Sequence, residues 1–232
     1  MFRILVFAAL LAGAGAGLLL TGVQQWQVTP LILAAEELET AAAAHEHESG
    51  HAHGEEAWAP ADGRERILFT LLANVLSGIG YGLLLVAGMA ARGHGGWRRG
   101  LLWGLAGYAV FFLAPSLGLH PELPGTVSAP LAERQIWWIA TVLSSAVGLG
   151  LLFFAKLPWR GVAVLLLLAP HLFGAPLPPA PASLAPAELE HAFIVAAALS
   201  NAVFWISLGV LGGLFLQNFP GPDLPSGRLA NS

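Results

Sequence analysis

Histidine and glutamate crowd into one short stretch of the chain, His45-Glu46-His47-Glu48-Ser49-Gly50-His51-Ala52-His53-Gly54-Glu55-Glu56. Neutral imidazoles suit zinc, copper, nickel and similar divalent ions, and carboxylates add negative charge. In a helix, His47 and His51 would share one face. A flexible tract would instead wrap an ion, and a solvated polar loop would bind none. The composition favours metal capture by His45, His47, His51 and His53.

A second candidate lies in the segment from residue 114 to residue 125, which contains three prolines. Prolines end helices and stiffen turns. His120 and Glu122 therefore project from a restrained backbone, and ligands on such a backbone lose less freedom on binding. The alternative is a turn with an exposed acid. We expect an ion site here, at the mouth of a pathway.

Two further histidines stand near predicted membrane boundaries. His171 follows Pro170, and a histidine at membrane depth needs a partner. That partner is either a transported ion or a hydrogen-bonding group on a neighbouring helix. His191 follows Glu188 and Glu190 and is expected to lie near the other outer ligands. Both are candidate metal ligands.

The composition of the 232-residue chain indicates a lipid environment. Only 10% of residues are charged, whereas a soluble domain has about 25%. The absence of cysteine excludes disulfides and thiolate metal sites. The formal net charge of −4 gives no indication of nucleic-acid binding.

The hydrophobic residues form long blocks, which predict an all-α, polytopic membrane helix bundle with about six transmembrane helices. A span needs about 20 apolar residues. The fifth run is shorter and could be re-entrant, and the first could be a cleaved signal peptide, although it is longer than such a peptide requires. Either case would leave five spans. The six runs are Ile4–Val23, Ile67–Ala91, Leu101–Leu119, Gln135–Ala155, Val162–Gly174 and His191–Leu216.

Loop charges predict the orientation. With both termini in the cytoplasm, seven Lys and Arg residues lie inside and three outside, which satisfies the positive-inside rule. We expect one integral domain, residues 1–232, in a bacterial inner (cytoplasmic) membrane. Residues 24–66 then form its His/Glu-rich extracytoplasmic loop. Nearly all acids face outward, where they attract cations.

No Walker loop, G-x-S-x-G motif or H-E-x-x-H motif occurs in the chain. Serines are present, but none has an evident base beside it. We expect no enzyme activity and no tightly bound cofactor.

Several segments together resemble the CbtA-type family of probable cobalt transporter subunits. They are Gln24-Gln25, residues 28–32, the His-rich loop, Asp62-Gly63-Arg64, Pro115 to Gly125, Arg134-Gln135-x-Trp137-Trp138 and Pro170-His171-x-x-Gly174-Ala175-Pro176. The resemblance covers nearly the whole chain. It implies cobalt uptake for cobalamin biosynthesis, with a small, His-containing, one-span companion subunit, CbtB. It supplies no ligand set.

Two functions remain open from the sequence. The first is a membrane subunit for uptake of Co²⁺, or of Ni²⁺ or Zn²⁺. Its outer His/Glu loop would capture the ion, and His120, Glu122 and His171 would pass it between helices. The second is a membrane metal sensor, chaperone or scaffold that transports nothing, which the lack of buried charge favours.

Overall fold

The computed structural model describes residues 2–47, 60–93 and 95–218, with side chains in the first range described to residue 44. Within these residues the protein is built from α-helices and two π-helical turns, without β-strands beyond one isolated bridge. The α-helices are α1 (Phe2–Val23), α2 (Thr29–His47), α3 (Arg64–Ala91), α4 (Trp97–Tyr108), α5 (Ala114–Ser116), α6 (Leu131–Phe154), α7 (Trp159–Phe173) and α8 (Ala187–Asn218).

All six predicted hydrophobic runs are helical over most of their length, and the polytopic all-α prediction is confirmed. Among the described residues, four helical stretches are long and apolar enough to cross a bilayer: Phe2–Ala44, Arg64–Ala91, Leu131–Phe154 and Ala187–Asn218. The fifth run, α7, has 15 residues, or about 22 Å, against a hydrocarbon core of about 30 Å. Its predicted shortness is therefore confirmed.

The first helix is longer than a membrane is thick. Residues Phe2–Ala44 form one helical stretch of 43 residues, or about 65 Å. The helix thus continues through the acidic segment after residue 33. The first half of the predicted outer loop is therefore helical.

Each π-helical turn ends two residues before a proline. Gln24–Val28 precedes Pro30, and Ala109–Leu113 precedes Pro115. Proline has no amide hydrogen for the carbonyl four residues earlier, and its ring crowds that carbonyl. The wider π-turn relieves the crowding, since Thr29 donates to Gln24 and Ala114 donates to Ala109, five residues back. The helical path therefore continues past both prolines.

Glycines bring α1 against α3. A Cβ on Gly78 would strike the carbonyl oxygen of Gly13, and a Cβ on Gly17 would lie 2.7 Å from that of Asn74. Gly82 lies against Ala9 in the same way. Residue numbers rise along α1 as they fall along α3, so the two helices are antiparallel. Gly78 and Gly82, four residues apart, therefore allow the close packing of the two helices.

The same packing joins α4 to α8. Gly100 and Gly104 meet Gly209, and the amide of Gly96 donates to the carbonyl of Gly213 at 2.7 Å. Phe111, in the second π-turn, stacks on Trp205 with ring centroids 5.2 Å apart and meets the edge of Tyr81. The apolar core therefore lies among α1, α3, α4 and α8.

Helices α6 and α7 form a separate antiparallel hairpin. Gly148 of α6 lies against Ala163 and Leu167 of α7. Phe111 connects the hairpin to the core through the ring of Trp138, at 6.5 Å between centroids. Many large side chains on the outer surface of the bundle are apolar and exposed, as expected of a lipid-facing surface; they include Leu76, Leu84, Leu143 and Leu165.

The α1–α3 contact makes a testable prediction. Gly78→Ala should destabilise the bundle by about 1–3 kcal/mol or more, because the added methyl group meets backbone that cannot move without separating the helices. Gly80→Ala is the matched control, since nothing lies within 4 Å of its Cβ position and alanine favours helix. Thermal unfolding in detergent should show a lower Tm for the first variant alone. Equal Tm values would contradict the close packing.

Candidate metal site at the outer face

A cap over one end of the bundle is formed by two loops, by the first π-turn with α2, and by the first turns of α8. The loop before α6 pairs with the loop before α8, because the Val127 amide donates to the Ala182 carbonyl at 2.9 Å and Thr126 bridges to Ser183. Beneath this pairing, Leu123 packs against apolar residues of the first π-turn, α2 and α8, namely Val28, Ala35, Phe193 and Ala196. The cap therefore holds the proline-rich turn in a fixed place.

The cap forms a partly open cavity of about 30 Å³, and its lining includes His120, Glu122 and Glu190. This volume exceeds the roughly 10–15 Å³ that a water molecule needs. The cavity therefore brings His120 and Glu122 together with Glu190 from α8. In the sequence, Glu190 stood out only as a neighbour of His191. Its closeness to His120 depends on the pairing of two distant loops, which the sequence does not show.

Glu122 already has partners. Its Oε2 atom lies 3.2 Å from Nη2 of Arg134 and accepts a hydrogen bond from the Ser128 hydroxyl at 2.5 Å. Arg134 and Glu122 therefore form an ion pair. The guanidinium neutralises the carboxylate and holds it in place, so a cation at this cavity would compete with Arg134 for Glu122.

His171 lies at the contact between α6 and α7. Its ring meets the Trp137 ring edge-on, with centroids 6.0 Å apart, and no hydrogen bond joins it to the described residues. Trp137 Nε1 donates to the Pro170 carbonyl at 3.2 Å, so that carbonyl already has a partner. His171 lines neither the cavity at His120 nor the larger apolar groove between α6 and α7. Trp137 also contacts Gly118, which places His171 near the outer turn.

The structure describes the remaining predicted ligands to different extents. His191 is exposed on the first turns of α8, next to Glu190. His45 and His47 lie in the last turn of α2, where the backbone alone is described, and His51 and His53 lie outside the described residues. In the part of the chain with described side chains, no three His, Asp or Glu groups are arranged to hold a metal ion.

Arg66 joins the two helices that flank the His/Glu tract. It donates to both carboxylate oxygens of Glu36 on α2, and its Nη1 atom also donates to Asp62 at 2.9 Å. A two-point contact between guanidinium and carboxylate is among the stronger ion pairs. It therefore fixes α2 at Glu36 to the start of α3.

A polar cluster below the cap was not predicted as a unit. Asn74 of α3 donates from Nδ2 to Thr21 Oγ1 at 3.0 Å and to Gln24 Oε1 at 2.6 Å. The sequence showed each residue separately, but their meeting depends on the α1–α3 crossing and on the π-turn that begins at Gln24. No local sequence signal could have paired them.

The chain matches the family described as "Probable cobalt transporter subunit (CbtA)" over residues 2–217. No curated protein and no solved structure matches it. The family match covers almost the whole described bundle, including His120 and Glu122 of the cap and His171 of α7. Together with its long apolar helices, this match makes the protein an integral membrane protein and a member of the CbtA family of probable cobalt transporter subunits.

Proposed function

We propose that this chain is the membrane subunit of a Co²⁺ uptake transporter that supplies cobalamin biosynthesis. A small CbtB-type one-span subunit is its companion, and both chain termini lie in the cytoplasm of a bacterial cell. The observation that carries the proposal is the partly open cap cavity, whose lining includes His120, Glu122 and Glu190. The family match supports cobalt as the ion.

In this proposal, the four histidines of the tract collect the ion outside. His120, Glu122 and Glu190 line one cavity without forming a ready-made metal site, so they would have to move together to take the ion, with His191 next to Glu190 on α8. His171, which has a ring contact but no hydrogen bond, keeps a nitrogen lone pair for the ion at the outer end of α7. Ni²⁺ and Zn²⁺ suit the same ligands.

One observation favours a second function, a membrane metal sensor, chaperone or scaffold that transports nothing. In the described side chains, no three acids or histidines are arranged around a common metal position. A protein that binds metal only through its outer tract would need no such arrangement. Transport differs from this alternative in requiring ion movement across the bilayer.

Uptake of radiolabelled Co²⁺ distinguishes the two functions. Cells that express this chain together with its companion subunit should accumulate the ion above the level of cells with empty vector. Addition of unlabelled Ni²⁺ and Zn²⁺ would rank the competing ions. No uptake above the empty-vector level, with the chain present in the membrane, would reject transport and leave the second function.

The His/Glu tract makes a kinetic prediction. Replacement of His45, His47, His51 and His53 together by glutamine should raise the KM for Co²⁺ and leave the maximal rate unchanged, because capture matters only when the metal is scarce. The control is the pair Glu37→Gln and Glu39→Gln, which removes exposed charge from α2 but keeps the histidines. Wild-type uptake at limiting Co²⁺ in the histidine variant would exclude a capture role.

The Arg134–Glu122 pair predicts opposite effects for its two members. Glu122→Gln should raise the KM for Co²⁺ by about tenfold, the cost of losing about 1.4 kcal/mol of binding. Arg134→Gln should lower the KM, because it frees the carboxylate from its competing cation. Glu133→Gln is the matched control, since Glu133 is an exposed neighbour on the same helix. A change in the same direction for both variants would show that the pair has a structural role instead.

A further inference from the structure

We propose that Thr21, Gln24 and Asn74 form a second cation site, within the membrane, which a partly hydrated divalent ion occupies after it leaves the cap. This inference rests on the proposed transport function and gives that function its intramembrane step. The cluster lies between the cap and the glycine-packed core, because Val28 of the same π-turn belongs to the cap and Gly17 contacts Asn74 at the α1–α3 crossing.

The hydrogen bonds of the cluster differ from those of other polar groups in the spans. Thr141, Ser200 and Asn201 each donate to a carbonyl of their own helix, four residues earlier. Asn74 instead donates across the α1–α3 contact to two side-chain oxygens. Among the described hydrogen bonds within the apolar part of the bundle, this is the place where side chains of two helices bond to each other.

The two accepting oxygens surround one electropositive group. The Thr21 hydroxyl donates its hydrogen to the Gly17 carbonyl at 2.9 Å. The lone pairs of its oxygen are therefore available to Asn74. Gln24 Oε1 lies 2.6 Å from the same Nδ2 atom. If the Asn74 amide turns over, its oxygen takes the place of the NH₂ group, and a cation between this oxygen and those of Thr21 and Gln24 replaces the two hydrogen bonds.

The first π-turn explains why Gln24 reaches this position. An α-helix would place each residue about 100° from the last, and the wider turn before Pro30 changes the direction in which Gln24 points. π-Turns within α-helices are frequent at functional sites. Here the turn aligns the amide of Gln24 with Asn74, one turn of α1 beyond Thr21.

The neutral charge of the cluster suits transport better than storage. Three oxygens from the protein are fewer ligands than a divalent ion usually takes, so water completes its coordination. Three neutral oxygens bind a divalent ion more weakly than carboxylates do. A conducting site must be favourable enough to fill and weak enough to empty.

A carboxylate at this site should change transport in a characteristic way. Asn74→Asp should lower the KM for Co²⁺ by about tenfold and lower the maximal rate as well, because an added charge binds the ion tightly and delays its release. Radiolabelled Co²⁺ uptake is measured for the full chain with its companion subunit and normalised to the protein found in the membrane. Gln24→Glu makes the same change from the opposite helix and replaces the first variant if that variant does not accumulate.

Asn201→Asp is the matched control. It introduces the same charge at an asparagine whose amide bonds to its own helix, so its KM should stay at the wild-type value. Equal KM values for wild type and Asn74→Asp, or equal shifts in both aspartate variants, would overturn the site and leave the cluster as a structural contact between helices. Absence of Co²⁺ uptake by wild type would overturn the transport function and this site together.

Discussion

The close approach of helix backbones in a lipid-like interior is the constraint on which the rest of this structure depends. Lipid tails are as apolar as leucine, so helices in a membrane gain little from burying apolar side chains and must gain from tight contact. Glycine at Gly13, Gly78, Gly100 and Gly209 allows that contact. The spacing of the α1–α3 pair then sets the distance at which Asn74 meets Thr21.

Proline and glycine act together at the outer end of the bundle. Pro30 and Pro115 each follow a π-turn that keeps a helical path continuous, and those turns place Gln24 in the polar cluster and Phe111 in the aromatic core. Gly118 then lets the chain pass over the Trp137 ring. Substitutions at the prolines would therefore act on the cluster and the core through the backbone, without touching either directly.

The elements could be predicted from the sequence, but most of the site contacts could not. Long apolar runs must be helical in lipid because each backbone group needs a partner within its own segment. The three prolines around His120 and Glu122 predicted only that these two side chains project from a restrained backbone. The contribution of Glu190 depends on pairing between two loops about 60 residues apart. For His171, the sequence left either an ion or a hydrogen bond as partner, and the structure gives it a ring contact with Trp137.

Charge decreases from the cap toward the interior of the bundle, and under the proposed function this gradient bears on how an ion is selected. At the cap, acids attract cations, although Arg134 already occupies Glu122. The cluster of Thr21, Gln24 and Asn74 below it offers neutral oxygens. Nickel and copper bind nitrogen and oxygen ligands more tightly than cobalt does, so strong sites would favour those two ions over cobalt. Weak binding at each proposed site would reduce that disadvantage, because ions that bind most tightly also leave most slowly.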